Sequence, residues 1–275
     1  MRVHKGATMP YLFGDTDIAA QRLRLVAEVF AQASRAFLRE VTIAKPSLAV
    51  DLGCGPGFST HLVAETLQCD HAAGLDNSQH FIGLAQETGT ERVSFYLHDV
   101  RSVPFPVGPC DLLYCRLLLT HLKQPQDILE KWATQLQSDA LLLMEEVEWI
   151  ETKHPVFTTY LKIVEALLEH QSNDLYVGRL LNSLKDTGTL KRRTSEVRRV
   201  QVATDRAAAM FVLNMQSWKD HPFIQTNYSA GLIQELEKDL DTLRRNPGSK
   251  SEIEWGMRQS VFERIKRTQA ARRRL

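Results

Sequence analysis

The stretch Ser47-Leu48-Ala49-Val50-Asp51-Leu52-Gly53-Cys54-Gly55-Pro56-Gly57 constrains this chain more than any other. An apolar run suited to a buried parallel strand breaks into three glycines, each separated from the next by one residue. Beyond it, Phe58, Leu62, Val63 and Leu67 recur at helical spacing, which predicts a helix from Phe58 to Leu67. Strand, tight glycine turn and helix together open a nucleotide-binding α/β unit. Glycine lets a ligand approach the backbone closely, and the helix N-terminus offers N–H groups to an anion.

The spacing discriminates between nucleotides. A dinucleotide fingerprint, G-x-G-x-x-G, would put its third glycine at Phe58, but here it falls at Gly57. Asp51, two residues ahead of the first glycine, would repel a diphosphate. The same carboxylate suits a ligand carrying an ammonium and a sulfonium, as S-adenosylmethionine does, with its one carboxylate over the helix N-terminus. Val50 to Gly57 resembles motif I of the class I S-adenosylmethionine-dependent methyltransferases of small-molecule type.

That resemblance implies a doubly wound, mostly parallel seven-stranded α/β sheet with helices on both faces. It also implies S-adenosylmethionine as cofactor and S-adenosylhomocysteine as product. Along the chain the later motifs follow in order. His71 to Asp76 reads as a second strand, and Asp76 lies about 20 residues past the last glycine, where a nucleotide-binding acid meets the ribose hydroxyls. A helix from Ser78 follows Asn77. Val93 to Leu97 reads as a third strand delivering His98, Asp99 and Val100. In the family, the acid there bonds the adenine amino group and the next N–H meets the ring, which implies those roles for Asp99 and Val100. Cys110 to Cys115 resembles motif IV, and Arg116 to Leu122 resembles the wall near the transferred methyl. The cofactor set implied is therefore Gly53, Cys54, Gly55, Gly57, Asp51, Asp76, Asn77, Asp99, Val100, Cys115 and Arg116. Tyr11 and Arg22, ahead of motif I, join it as candidates to touch the methionine carboxylate or the substrate.

Several residues are candidates for chemistry on the acceptor. His121 is the first for a general base, because an imidazole ordinarily titrates near neutrality. Glu145 and Glu146 end the fifth strand, Ala140 to Met144, where open α/β sheets bind ligands. They would assist proton removal (Glu145) or hold a substrate amine (Glu146), or else stand as solvated strand-end charges. Trp149 and Trp218, with Tyr160 and Phe211, suit a partly apolar or aromatic acceptor.

The organisation expected is an N-terminal helical segment over 1–40, a core over 41–202 and 250–270, and a helical cap over 203–249. Within it, helices are expected at 18–38, 125–137, 157–169, 177–184, 207–218 and 223–245. A strand is expected at 193–202, on a sheet edge; for 255–265 the resemblance implies an antiparallel strand, with a helix as the alternative.

Lys plus Arg total 34 against 33 Asp plus Glu, a net charge of +1, so nothing general draws the chain to nucleic acid or an anionic membrane. The chain also lacks the proline pair, [DNS]-P-P-[YFW], with which base-methylating enzymes follow this strand; Tyr114-Cys115-Arg116-Leu117 stands there instead. Cys54, Cys69, Cys110 and Cys115 form no C-x-x-C pair, which suggests reduced thiols and no metal site. No apolar run reaches membrane-span length, and Met1 to Pro10 lacks a signal peptide's apolar centre. The basic Arg272-Arg273-Arg274 reads as a solvated tail.

The expectation is a cytoplasmic methyltransferase, monomer or homodimer, acting at an O, N or C nucleophile of a small, partly apolar metabolite. The rival readings are a non-catalytic binder of the same cofactor, a protein or RNA methyltransferase, and an NAD-dependent oxidoreductase.

Overall fold

The computed structural model describes residues 14–41, 45–247 and 250–265; Tyr11 and the Arg272-Arg273-Arg274 cluster lie outside them. The first helix, α1 (Asp17–Glu40), begins where Thr16 accepts the Ala19 N–H, 3.3 Å. Strand β1 (Leu48–Leu52) carries the chain into the glycine turn, and α2 (Phe58–Leu67) leaves it. β2 (His71–Asp76), α3 (Gln79–Gln86) and β3 (Val93–Leu97) complete the first half of the sheet. The second half runs β4 (Cys110–Arg116), α4 (Pro125–Ala133) and β5 (Leu136–Thr152). Then come α5 (Pro155–His170), α6 (Gly178–Ser183) and β6 (Leu190–Val202), followed by α7 (Thr204–Trp218), α8 (Pro222–Asn227), α9 (Ala230–Arg244) and β7 (Ile253–Arg264).

These strands form one seven-stranded sheet in the order β3-β2-β1-β4-β5-β7-β6. β1 to β5 pair in parallel, and β7 inserts antiparallel between β5 and the edge strand β6. The chain reverses at β1 between β2 and β4, so the carboxyl ends of β1 and β4 border a crevice. Val50, Leu113, Leu142 and Met144 face α4 and α6 on one side; Ala49, Leu112, Leu141 and Leu143 face α1 and α2 on the other. A third apolar cluster lies over the sheet's C-terminal half, where Phe30 of α1 meets residues of α5, α7, α9 and β7.

Two elements depart from the sequence reading. The helix expected over 223–245 is two helices, because Ser229 takes the N-cap of α9 and accepts the Leu232 N–H, 3.2 Å. The helix expected to run to Gln137 stops at Ala133, and β5 begins early, at Leu136. Cys110 pairs with Leu136 ahead of a register shift, so pairing to β4 claims residues that helical spacing alone assigned to α4.

Candidate functional site

One cavity of about 660 Å³ opens at the carboxyl ends of the parallel strands. Gly53, Gly55, Asp76, Asn77, Asp99 and Val100 line one end of it. Gly53 and Gly55 hold φ of +67° and +53°, which side chains with a Cβ rarely adopt. Gly57 does not line the cavity; it holds φ +91° and lies so close to Phe95 that a Cβ there would come 2.7 Å from the ring.

The turn's own N–H groups are engaged inside the protein. Gly53 and Cys54 donate to the Leu75 carbonyl (2.8 and 3.1 Å), Gly57 to the Cys54 carbonyl (3.0 Å), and Gly55 to the Asp76 carboxylate (2.9 Å). A diphosphate needs such groups free. Around the turn the cavity presents carboxylates instead, from Asp15, Asp76 and Asp99. This carboxylate-bearing surface fits a cationic ligand rich in hydroxyl and amino donors, as the sequence reading expects. Asp76 accepts from Gly55 N–H and, at 2.8 Å, from Ser78 N–H; burial raises its pKa and those N–H bonds oppose the rise. Asp99 is held by Arg101, whose guanidinium donates to it at 2.8 and 2.7 Å and keeps its pKa low.

Asp51 sits beneath the turn rather than on the cavity wall. Its Oδ2 accepts from the Ser59 and Thr60 hydroxyls at 2.6 and 2.7 Å, tying β1 to the first turn of α2. Burial lifts its pKa to about 6, those hydroxyls opposing the shift. Direct contact between Asp51 and a ligand's ammonium is therefore not what this geometry provides. Cys115 is also buried away from the cavity, whereas Cys54 and Arg116 line it; Arg116 donates to the Ser34 hydroxyl at 3.0 Å. Burial pushes the Cys54 thiol well up, so it carries no thiolate at neutral pH.

The acceptor end is built by α1, α5, α7 and β7. Tyr160, Leu161, Val164 and Leu168 come from one face of α5; Met210, Phe211 and Asn214 come from α7. Arg22, from α1, donates to Asn214 Oδ1 at 3.0 Å, and Asn214 Nδ2 donates to the Tyr160 hydroxyl at 3.0 Å. Phe211 stacks on Tyr160 with ring centroids 3.9 Å apart, and Trp255 of β7 stands 6.0 Å from Phe211. His121, in the helical turn Leu119–His121 after β4, lines the cavity near Arg22. Burial and the Arg22 charge push its imidazole down to about 4, so it is neutral at pH 7 and a weak base, contrary to the expectation of near-neutral titration.

The paired acids and both tryptophans are corrected by the structure. Successive residues of a strand point to opposite faces, so Glu145 and Glu146 never act together. Glu145 lies between the sheet and α1, where both oxygens are taken by the Tyr114 hydroxyl (2.6 Å) and Gln259 Nε2 (2.7 Å). Glu146 faces the opposite layer, its Oε1 accepting the N–H groups of Leu118 and Leu119 at 2.8 Å each. Burial raises it to about 8, so it is largely protonated at pH 7. Neither lines the cavity; Glu146 instead anchors the loop that does. Trp149 covers Gly256 and carries Arg199 5.3 Å over its ring, outside the cavity. Trp218 is wholly buried behind Tyr160, 5.9 Å between rings. Reading by sequence missed Asn214, Met210 and Trp255; the α7 and β7 periodicity marks them as core, and only tertiary packing shows which core residues border a cavity.

Comparison with known proteins bears on this site. Residues 50–144 match the family described as "Methyltransferase domain". A trans-aconitate 2-methyltransferase from Rhizobium leguminosarum bv. trifolii is 32% identical over 114 residues, covering 41% of this chain and 43% of the relative. The chain thus spans less than half the length of that curated relative. Among solved structures, coclaurine N-methyltransferase superposes with a TM-score of 0.52 at 16% identity, covering 87% of this chain and 72% of that one. The [4+2]-cyclase SpnF superposes at 0.55 and 13% identity, covering 95% and 99%. At such identities the likeness shows the fold, which serves a cyclase as well as methyltransferases. The family match is confined to residues 50–144, a methyltransferase domain, and the seven-stranded sheet around it has the fold of these solved structures.

Among the described residues no helix is long and apolar enough to cross a membrane, and no group of three or more His, Cys, Asp or Glu is placed to hold a metal.

Proposed function

We propose that this protein transfers the methyl group of S-adenosylmethionine to a small molecule held against α5 and α7. The observation that supports this best is the continuity of one cavity from the acid-lined glycine turn to the apolar end under the helices. Asp76 would accept from the ribose hydroxyls and Asp99 from the adenine amino group, each keeping lone pairs beyond those already used. Tyr11, Asn77, Val100 and Arg116 would complete that end, with Asp51 supporting the turn from below. When bound, the sulfonium supplies an electrophilic methyl group. The chain's part is to align the acceptor and exclude water, and the apolar residues between Val147 and Trp255 do the latter. No strong base borders the acceptor end among the described residues: His121 is held near 4, Glu145 and Glu146 face elsewhere, and the carboxylates that line the cavity lie toward the glycine turn.

The names of the curated relatives and the helices α5 and α7 along the cavity favour a small acceptor over a protein or RNA; the region 203–249 is proposed as a cap over the substrate site and 1–40 as a segment closing over the cofactor. The test is transfer of labelled methyl from S-adenosylmethionine into the small-molecule fraction of a deproteinised extract. Label appearing there and lost in Asp76→Ala supports the reading; label found only in protein or RNA contradicts it.

A further inference from the structure

We propose that the acceptor is a monocarboxylate on an apolar body, its carboxylate directed to Arg22 and converted to a methyl ester. This rests on the methyl-transfer reading and narrows it to a substrate class. The walls come first: Val164, Leu168, Leu175, Met210, Phe211 and Trp255 make most of this end apolar, and the polar groups described there gather around Arg22, Asn214, Tyr160 and His121, so a second charge on the far side of the acceptor would be buried against hydrocarbon. Charge is distributed unevenly along the cavity. Its carboxylates, Asp15, Asp76 and Asp99, lie toward the glycine turn with Arg101, which is paired to Asp99; Arg116 lines the wall and donates to Ser34; among the described residues that line the cavity, the charged side chain that meets α7 is Arg22, buried to 6% and hydrogen-bonded to Asn214. A guanidinium there attracts one anionic head and repels an ammonium.

Proton inventory gives the third argument. An alcohol, or an amine in its ammonium form, must lose a proton before or during attack. Among the described residues, the groups at this end that could take a proton from the acceptor are poor bases at pH 7: burial and the Arg22 charge push His121 down to about 4, and burial raises Tyr160, which stays a phenol. A carboxylate, with a pKa of about 4 in water, arrives already ionised. In the step, a carboxylate oxygen lone pair forms the O–CH₃ bond while the S–CH₃ bond breaks and its electron pair stays on sulfur. Cation and anion become a neutral thioether and a neutral ester, and no proton moves.

The test is calorimetry on the full chain, first with S-adenosylhomocysteine, then with octanoate, octan-1-ol, octylamine and trans-aconitate added to the saturated protein. Absence of heat with S-adenosylhomocysteine would remove the methyl-transfer reading itself. Given that heat, the expected result is octanoate binding at least about tenfold tighter than the other three, roughly one 1.4 kcal/mol step. Arg22→Met is expected to cut the preference of octanoate over octan-1-ol below about threefold, and Arg22→Lys to restore part of it. Octylamine, octan-1-ol or trans-aconitate matching or exceeding octanoate overturns the proposal, as does binding by none of the four. A preference unchanged in Arg22→Met overturns the role given to Arg22.

Discussion

The two ends of the cavity are assembled in different ways. At the glycine-turn end, Gly53, Gly55, Asp76 and Asn77 come from two neighbouring parallel strands and the turns that leave them. At the acceptor end, Arg22, Tyr160, Asn214 and Trp255 come from α1, α5, α7 and β7, elements far apart in the chain. The first end depends on backbone geometry that a few residues dictate locally; the second depends on helices packed onto one another and onto the sheet. Damage should therefore separate. Substitutions at the turn should remove cofactor binding, and substitutions under α5 and α7 should cost stability while sparing it.

The largest effect is expected at Gly57. Valine there must adopt φ near +91° with its Cβ about 2.7 Å from the Phe95 ring. Strain and overlap together cost roughly 2–6 kcal/mol. Urea melts should show the loss, and calorimetry should show no residual S-adenosylhomocysteine binding. Phe211→Ala is the counterpart at the other end. It removes a ring stacked at 3.9 Å on Tyr160, and about 3–5 kcal/mol of stability should go with it. Affinity for S-adenosylhomocysteine should stay within about threefold; a larger drop would show that the two ends are one energetic unit.

Asp76→Ala sharpens the comparison from the cofactor side. Hydrogen bonds to a charged acceptor contribute about 1.5–3 kcal/mol each, so a loss of roughly a hundredfold in affinity is expected, read by calorimetry. The smallest of these effects belongs to the loop that joins the ends. Burial lifts Glu146 to about 8, above the ordinary glutamate value of about 4.3. Between those pH values the folded state holds a proton that the unfolded state has released, so stability falls as pH rises through the window. From pH 6.5 to 8.5 this slope stands apart from those of Asp51 and His121, whose displaced values of about 6 and about 4 lie below it. Glu146→Gln keeps an oxygen for the Leu118 and Leu119 N–H groups and has no proton to lose. It should flatten the slope and add about 1–3 kcal/mol at pH 8.5, checked by melts at the two pH values.

The same contrast explains what was legible in the sequence. Gly53, Gly55 and Asp76 stand at fixed intervals along the strand-turn-helix unit, so spacing located them, whereas Asp99 was implied by the resemblance; all line the cavity. The β1-to-β5 framework and the edge strand β6 were legible through alternation and apolar runs, whereas the antiparallel β7 was expected from the resemblance, with a helix left open there. The carboxylates Glu145 and Glu146 looked like a pair because the sequence is one-dimensional, whereas the pleat sends them to opposite layers. Trp149 and Trp218 looked like substrate contacts by residue type; packing gives one to Gly256 and the other to the core. Asn214 was invisible because nothing local sets it apart from other polar residues on α7, and its importance arises from Arg22 and Tyr160, both remote in the chain.

The central claim is that the turn after β1 receives a methyl-donor nucleoside and not a diphosphate. Parallel calorimetric titrations of the full chain with S-adenosylhomocysteine and with NAD measure this directly. The account predicts one-to-one binding of S-adenosylhomocysteine and no heat from NAD; tight NAD binding with no heat from S-adenosylhomocysteine would contradict it.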